Sequence, residues 1–201
     1  INFYYGHQGL MPLDDLQNFN FGYRILTGDF PFRDYYSITG PFLDISQGYI
    51  YKIFGISWQS FVLHASIMNC LYSISVFLFL KSLEFKTKDC FFYSLSAGLL
   101  MYAPSGNPTV EHNSLILSLI ATFFFIISLK ENKKGYLFAS ILIFFISFFT
   151  KQVPTGYFVI FCMIIYFSKI FSEIKISTTI SIIIFTLIIS FLFFLFFKLN
   201  K

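Results

Sequence analysis

Residues 60–80 read SFVLHASIMNCLYSISVFLFL, a stretch without aspartate, glutamate, lysine or arginine that closes on Lys81. About 20 helical residues cross a hydrocarbon core of about 30 Å. This run therefore has the length to span a bilayer. Working outward, further uncharged apolar runs lie at 90–103, 114–129, 136–149, 153–168 and 176–197. The last also has spanning length. The middle four are shorter, and each taken singly fits a buried or re-entrant piece as well.

Charge separates these readings, because lysine and arginine are retained on the cytoplasmic side during insertion. The breaks after the first, third and fifth runs hold Lys81, Lys86 and Lys88, then Lys130, Lys133 and Lys134, then Lys169 and Lys175. The two breaks on the other side, around residues 103–113 and 150–152, hold only Lys151. Six alternating spans produce this asymmetry. Lys198 and Lys201 run against it, at the very end of the chain.

Composition agrees. Of 201 residues, 56% are hydrophobic, 22% aromatic and 12% charged, with a mean hydropathy of +0.72. A soluble domain carries about 25% charged residues. A cytosolic enzyme, a nucleic-acid binder and a disulfide-stapled secreted domain are thereby set aside. The net charge of +4 reports orientation rather than an acidic partner. Cys70, Cys90 and Cys162 sit in or beside apolar runs and are odd in number, which argues against a disulfide framework. Position 1 is not Met, the first 59 residues are polar and aromatic rather than a signal peptide with a cleavage site, and the last apolar run ends just before the terminus. The chain reads as a fragment of a longer membrane protein.

These features predict an all-α fold. Residues 60–201 form a polytopic transmembrane bundle of about six helices, and residues 1–59 form an external loop domain with two short juxtamembrane helices. The first of these is marked by Leu16, Phe19, Tyr23 and Leu26, whose spacing predicts a helix over 15–27. Asp14 or Asp15 would cap its start, and Gly28 would take the left-handed position that stops it. The second stripe, Phe42, Ile45, Tyr49 and Ile53, follows Pro41 and closes at Gly55. Both helices would lie flat on the membrane surface. The spans carry no acidic or basic side chain, so His64 is the group to weigh as a proton relay against plain hydrogen bonding to a neighbouring helix.

The head is acidic, with Asp14, Asp15, Asp29, Asp34 and Asp44 against Arg24, Arg33 and Lys52. Carboxylates at the lip of a membrane bundle suit acid/base work, where one must reach a hydroxyl that loses its proton as it attacks. The plainer reading makes Asp14 and Asp15 helix caps, and makes Arg33 and Asp34 a pair that fixes the connector, the polar stretch from Gly28 that joins the two helices of the head.

The order Leu13-Asp14-Asp15, Gly22-Tyr23-Arg24-Ile25-Leu26, Gly28-Asp29-Phe30-Pro31-Phe32-Arg33-Asp34-Tyr35 and Gly40-Pro41 resembles the first external loop of the GT-C glycosyltransferases. The branch is the bacterial one similar to protein mannosyltransferases and the lipid A aminoarabinose transferase. The likeness covers roughly residues 10–160. It implies a multi-pass inner-membrane enzyme with its head on the periplasmic side, which moves a sugar from a polyprenyl-phosphate carrier to a lipid, glycan or protein acceptor.

By this resemblance the catalytic acid falls on Asp14 or Asp15, and a second acidic position falls at Glu111-His112-Asn113, which the bare sequence reads equally as a solvated loop with a helix cap. Thr150-Lys151-Gln152 resembles the family's Thr-Lys at the outer end of a span. A fixed cation there would stabilise the leaving phosphate, with Arg33 sharing the task; the plainer role for Lys151 is reaching toward headgroups. No cluster has metal-ligand spacing and no glycine-rich loop suits a nucleotide, so no cofactor is expected, though a divalent ion bridging carboxylates stays open. The partners implied are the lipid-linked sugar, its acceptor and membrane lipids, without nucleic acid. The competing expectations are a transporter or flippase of lipid-linked saccharide and a non-catalytic membrane scaffold.

Overall fold

The computed structural model describes residues 2–9, 13–37, 40–101 and 106–173, and among these every regular element is helical. The run expected at 176–197, with Lys198 and Lys201, lies outside the described residues. The helices are α1 (Asn2–Tyr5), α2 (Asp14–Leu26), α3 (Phe42–Phe54), α4 (Trp58–Ser82), α5 (Thr87–Leu100), α6 (Val110–Glu131), α7 (Lys134–Phe148) and α8 (Gln152–Glu173). The described residues up to Phe158 belong to one compact unit, and those of 159–173 to another. The account below concerns the first.

Local chemistry sets the boundaries. Ser57 caps α4 by accepting from the Ser60 amide at 3.1 Å, and Thr109 caps α6 by accepting from the His112 amide at 3.4 Å. Asp14 and Asp15 are not caps: Leu13 holds the cap position of α2 without a side-chain bond, and the two carboxylates occupy the first turn. There they still face the positive end of the helix dipole. At the other end Gly28 is left-handed at φ 98°, with Gly28 N donating to Ile25 O and Asp29 N to Arg24 O. This is the paired-bond Schellman stop that the glycine led us to expect. Glu84 ends α4 the same way at φ 68°, without being glycine.

Helices α4 and α6 are long and apolar enough to cross a membrane. Both outrun the uncharged stretches that predicted them, because polar residues continue each helix beyond its apolar core. Helices α5 and α7, of 14 and 15 residues, stay short, rising about 21–23 Å. The helices alternate in direction. His112 Nε2 donates to Met101 O at 2.8 Å and ties the end of α5 to the start of α6, where Ser147 of α7 also donates to Ser114 O at 2.9 Å. At the opposite end Lys130 Nζ donates to Ser82 O and to Glu84, at 2.5 and 3.0 Å, so the two lysine-bearing turns meet.

Small and hydroxyl residues make the close approaches. On α5, Ser94 and Gly98 are one helical turn apart; the Ser94 carbonyl accepts from Ser73 Oγ at 2.7 Å, and a methyl at Gly98 would touch Ser73 at 3.0 Å. On α7, Ser140 donates to Ala121 O at 2.8 Å, while Ser147 meets Ser114, Ser118 and Thr155 in a buried knot of hydroxyls. The large side chains go outward: Phe91, Phe92, Leu95 and Leu99 of α5 and Phe138, Ile141, Leu142 and Phe145 of α7 are all exposed. A smaller apolar core of Met68, Ile116, Leu117 and Ile120 joins α4 to α6.

The same outward placement of apolar side chains recurs in α2 and α3. Both helices form, and each expected apolar stripe exists. Leu16, Tyr23, Tyr49 and Ile53 of these stripes are exposed, and the two helices meet where Gly22 and Gly48 lie against Gln47, Tyr51 and Ile25. A methyl on Gly22 would come within 2.5 Å of Gln47, and one on Gly48 within 2.5 Å of Ile25. Two glycines facing each other's helix let the backbones approach closely, and that contact decides which side is covered.

Candidate functional site

Asp15, in the first turn of α2, is fully buried, and its Oδ2 accepts from Asn107 Nδ2 at 2.9 Å. Three residues on, Asn18 Nδ2 donates to Pro108 O at 3.4 Å. The loop before α6 thus packs on the start of α2. Gly106 makes the turn at φ 72° and presses its carbonyl against Gly6, while Gly6 O accepts from Trp58 Nε1 at 2.9 Å. Asp14 is exposed beside this junction and has no hydrogen-bond partner among the described residues. The adjacent carboxylates therefore have different situations: one locked inside, one facing out.

Two residues after the Asn107–Thr109 loop, Glu111 forms an ion pair with Lys151. Lys151 leads into α8, and its carbonyl accepts from Ser114 Oγ and Thr155 Oγ1, each at 2.9 Å. The hydroxyl knot below thereby fixes the lysine's backbone. One five-residue segment, Asn107 to Glu111, holds Asp15 at one end and Lys151 at the other, which limits its span to about 14 Å.

The connector closes on the same end. Gly40 N donates to Thr150 O and Phe42 N to Phe149 O, both at 3.1 Å. Only glycine fits at position 40, where a methyl would lie 1.9 Å from the Phe149 carbonyl oxygen. The Gly40-Pro41 and Thr150-Lys151 segments are thus joined through the backbone.

Arg33 and Asp34 behave otherwise. Arg33 Nη2 and Nε bind Asp34 Oδ2 at 2.6 and 2.8 Å, and Arg33 also reaches Gly28 O. Arg33 holds the Asp34 carboxyl below its usual range, helped by the Phe30 amide, which donates to it at 2.7 Å. Both residues are exposed and fasten the turn around Phe32, whose φ is +64°. Their side chains bind within the connector, and the Asp34 carbonyl accepts from Arg24 Nη2 of α2 at 3.1 Å, so the pair fixes the connector as in the plainer sequence reading.

His112 and Asn113 are corrected: neither is a solvated loop residue nor a cap. Both are buried in α6, His112 on Met101 O and Asn113 with Nδ2 on Thr109 O at 2.9 Å. Gln152 opens α8 and is exposed. His64 is buried with Nδ1 2.8 Å from Gln47 Oε1, so it fastens α3 to α4, the plainer of its two expected roles. Among the described residues no group of three or more His, Cys, Asp or Glu side chains is gathered around a metal-sized space.

Sequence reasoning missed Asn107, whose role rests on a contact across 92 positions. It also missed a buried pair in the head. Tyr35 OH donates to Asp44 Oδ2 at 2.9 Å, Tyr35 stacks on Phe21 at 4.8 Å, and Arg24 lies over its ring at 4.6 Å. Arg24 also binds Asp29 at 2.8 Å. Burial raises the Asp44 carboxyl to about 6, against the lowering pull of hydrogen bonds from Tyr35 and Ser37. Burial and the neighbouring Asp44 push the Tyr35 hydroxyl upward. The acidic count of the head was the available signal, but it does not say which aspartate is inside.

No family model, curated protein or solved structure matches this chain.

Proposed function

We propose that this chain is the catalytic head and part of the multi-pass bundle of an inner-membrane glycosyltransferase that moves a sugar from a polyprenyl-phosphate donor to an acceptor on the non-cytoplasmic side. The membrane reading is supported by the inverted surface. On α5 and α7 small and hydroxyl residues pack against the neighbouring helices while phenylalanines and leucines face out, an arrangement suited to lipid and unfavourable in water. The positive-inside pattern then assigns the joined lysine turns to the cytoplasm and the opposite end to the exterior.

The observation that carries the enzymatic reading is the Asn107–Glu111 segment, which gathers Asp15 and Lys151 at the end opposite those turns. Exposure divides the acidic pair. Asp14, facing out, is the general base; Asp15, locked on Asn107, is the positioning residue that fixes the start of α2. In the reaction, Asp14 takes the proton of the acceptor hydroxyl as its oxygen bonds to the anomeric carbon. The bond from that carbon to the phosphate oxygen breaks, and polyprenyl phosphate leaves with the electron pair. A single displacement of this kind inverts the anomeric configuration. Lys151, held ready by Glu111, exchanges that partner for the departing phosphate.

A second reading, a non-catalytic scaffold, draws on the mutual neutralisation of Lys151 and Glu111 and on the burial of Asp15. Transfer from a radiolabelled polyprenyl-phosphate sugar, measured in membranes holding the full-length protein, separates the two. The enzymatic reading expects Asp14→Asn to abolish transfer while insertion stays normal. Unchanged transfer in that variant would reject Asp14 as the base.

A further inference from the structure

Helices α2 and α3 and the connector enclose an open groove of about 310 Å³. Ile25, Leu26, Ile45 and Phe30 wall it, Tyr49 and Lys52 stand on the α3 side, and Gly28 and Asp29 close the connector side. Asp29 is spent on Arg24 at 2.8 Å. Lys52 is exposed and has no carboxylate partner among the described residues. The groove therefore combines apolar walls with one uncompensated cation, inside a segment whose overall charge is −2.

Its position narrows the occupant. Lys52 lies in the last turn of α3, and only residues 55–57 separate that helix from α4, which is long and apolar enough to cross a membrane. Exposed Tyr49, Ile53, Phe54 and Ile56 surround the junction, and Trp58 opens α4. Aromatic residues beside a lysine at the mouth of a span mark headgroup depth.

We infer that this groove is a binding site for an anionic phospholipid of the surrounding bilayer, with an acyl chain along Ile25, Leu26 and Ile45 and the phosphate on Lys52. The site lies on the flank of the α2–α3 pair, and none of Asp14, Asp15 or Lys151 lines it. It rests on the membrane reading above and is independent of sugar transfer. The lipid fastens the head to the bilayer surface, so that α2 and α3 keep one orientation relative to α4.

Native mass spectrometry of the full chain, released from detergent with added phosphatidylglycerol or phosphatidylcholine, tests the inference. We expect one retained phosphatidylglycerol, bound about tenfold more weakly in Lys52→Gln, the loss carried by one charge-assisted hydrogen bond to phosphate. Lys52→Arg should restore it, Lys133→Gln in the cytoplasmic turn should leave it unchanged, and inorganic phosphate should not displace it. Equal binding in Lys52→Gln, or no preference over phosphatidylcholine, would overturn the site. Alkaline carbonate extraction separates the two layers of inference: a chain that washes off membranes overturns the membrane reading and the site together, whereas a chain that stays but whose lipid ignores Lys52 overturns the site alone.

Discussion

Asn107 donates to the buried carboxylate of Asp15 at 2.9 Å, joining the loop before α6 to the first turn of α2 across 92 residues of chain. A buried carboxylate deprived of a donor is costly, because its desolvation is then poorly offset. Asn107→Ala should destabilise the protein by about 2–3 kcal/mol. Thermal unfolding in detergent measures the loss; an unchanged midpoint would mean that the bond contributes little.

Gly40 faces the Phe149 carbonyl so closely that no side chain fits. Gly40→Ala must push the connector off the end of α7, breaking the Gly40–Thr150 and Phe42–Phe149 bonds. The expected cost is about 2–4 kcal/mol. Hydrogen exchange should accelerate at the amides of residues 40 and 42 and leave the turn between α6 and α7 protected.

Asp44 gives the head a pH dependence of unusual sign. Its carboxyl is raised from 3.8 to about 6 in the folded protein, so the folded state holds a proton that the unfolded state has released. The stability it contributes is fully present below about pH 4 and is lost as pH rises through about 6, by up to about 3 kcal/mol. Asp44→Asn keeps an acceptor for Tyr35 and should remove that slope while raising stability at neutral pH. Thermal unfolding between pH 4 and 8 reads both effects.

Glu111 and Lys151 should respond in opposite ways. If Lys151 releases Glu111 to take the phosphate, Glu111→Gln frees the lysine and leaves donor binding equal or tighter, whereas Lys151→Gln weakens it by about tenfold or more. Saturation curves with the lipid-linked sugar compare the two. Neither variant should lose much stability, because the pair is partly exposed.

The helices were legible because their signals are local. Uncharged runs located α4 to α8, and Gly28 and Gly55 fell where α2 and α3 end. The packing between the two helices was not legible. The repeat of Leu16 and Tyr23 fixes a helical period, but Gly22 against Gln47 fixes the side that packs, and that choice depends on a second helix. The site followed the same division. Lys151 stood out as the one cation in its break and Glu111 as an acidic candidate, while their pairing, across 40 positions, depends on how the chain folds. Arg33 is a candidate phosphate ligand and Asp34 a candidate carboxylate in the sequence, yet adjacency lets them satisfy each other first, as the plainer reading of the pair has it.

The central claim, that Asp14 and Lys151 share the non-cytoplasmic end and the lysine turns face the cytosol, is tested most directly by labelling intact cells with a membrane-impermeant maleimide. The variants are Asp14→Cys, Lys151→Cys and Lys133→Cys, in a full-length protein whose native cysteines are replaced by serine. The account predicts that the first two react from outside and the third only after the cells are opened. Labelling of Lys133→Cys in sealed cells, or protection of Asp14→Cys, would contradict it.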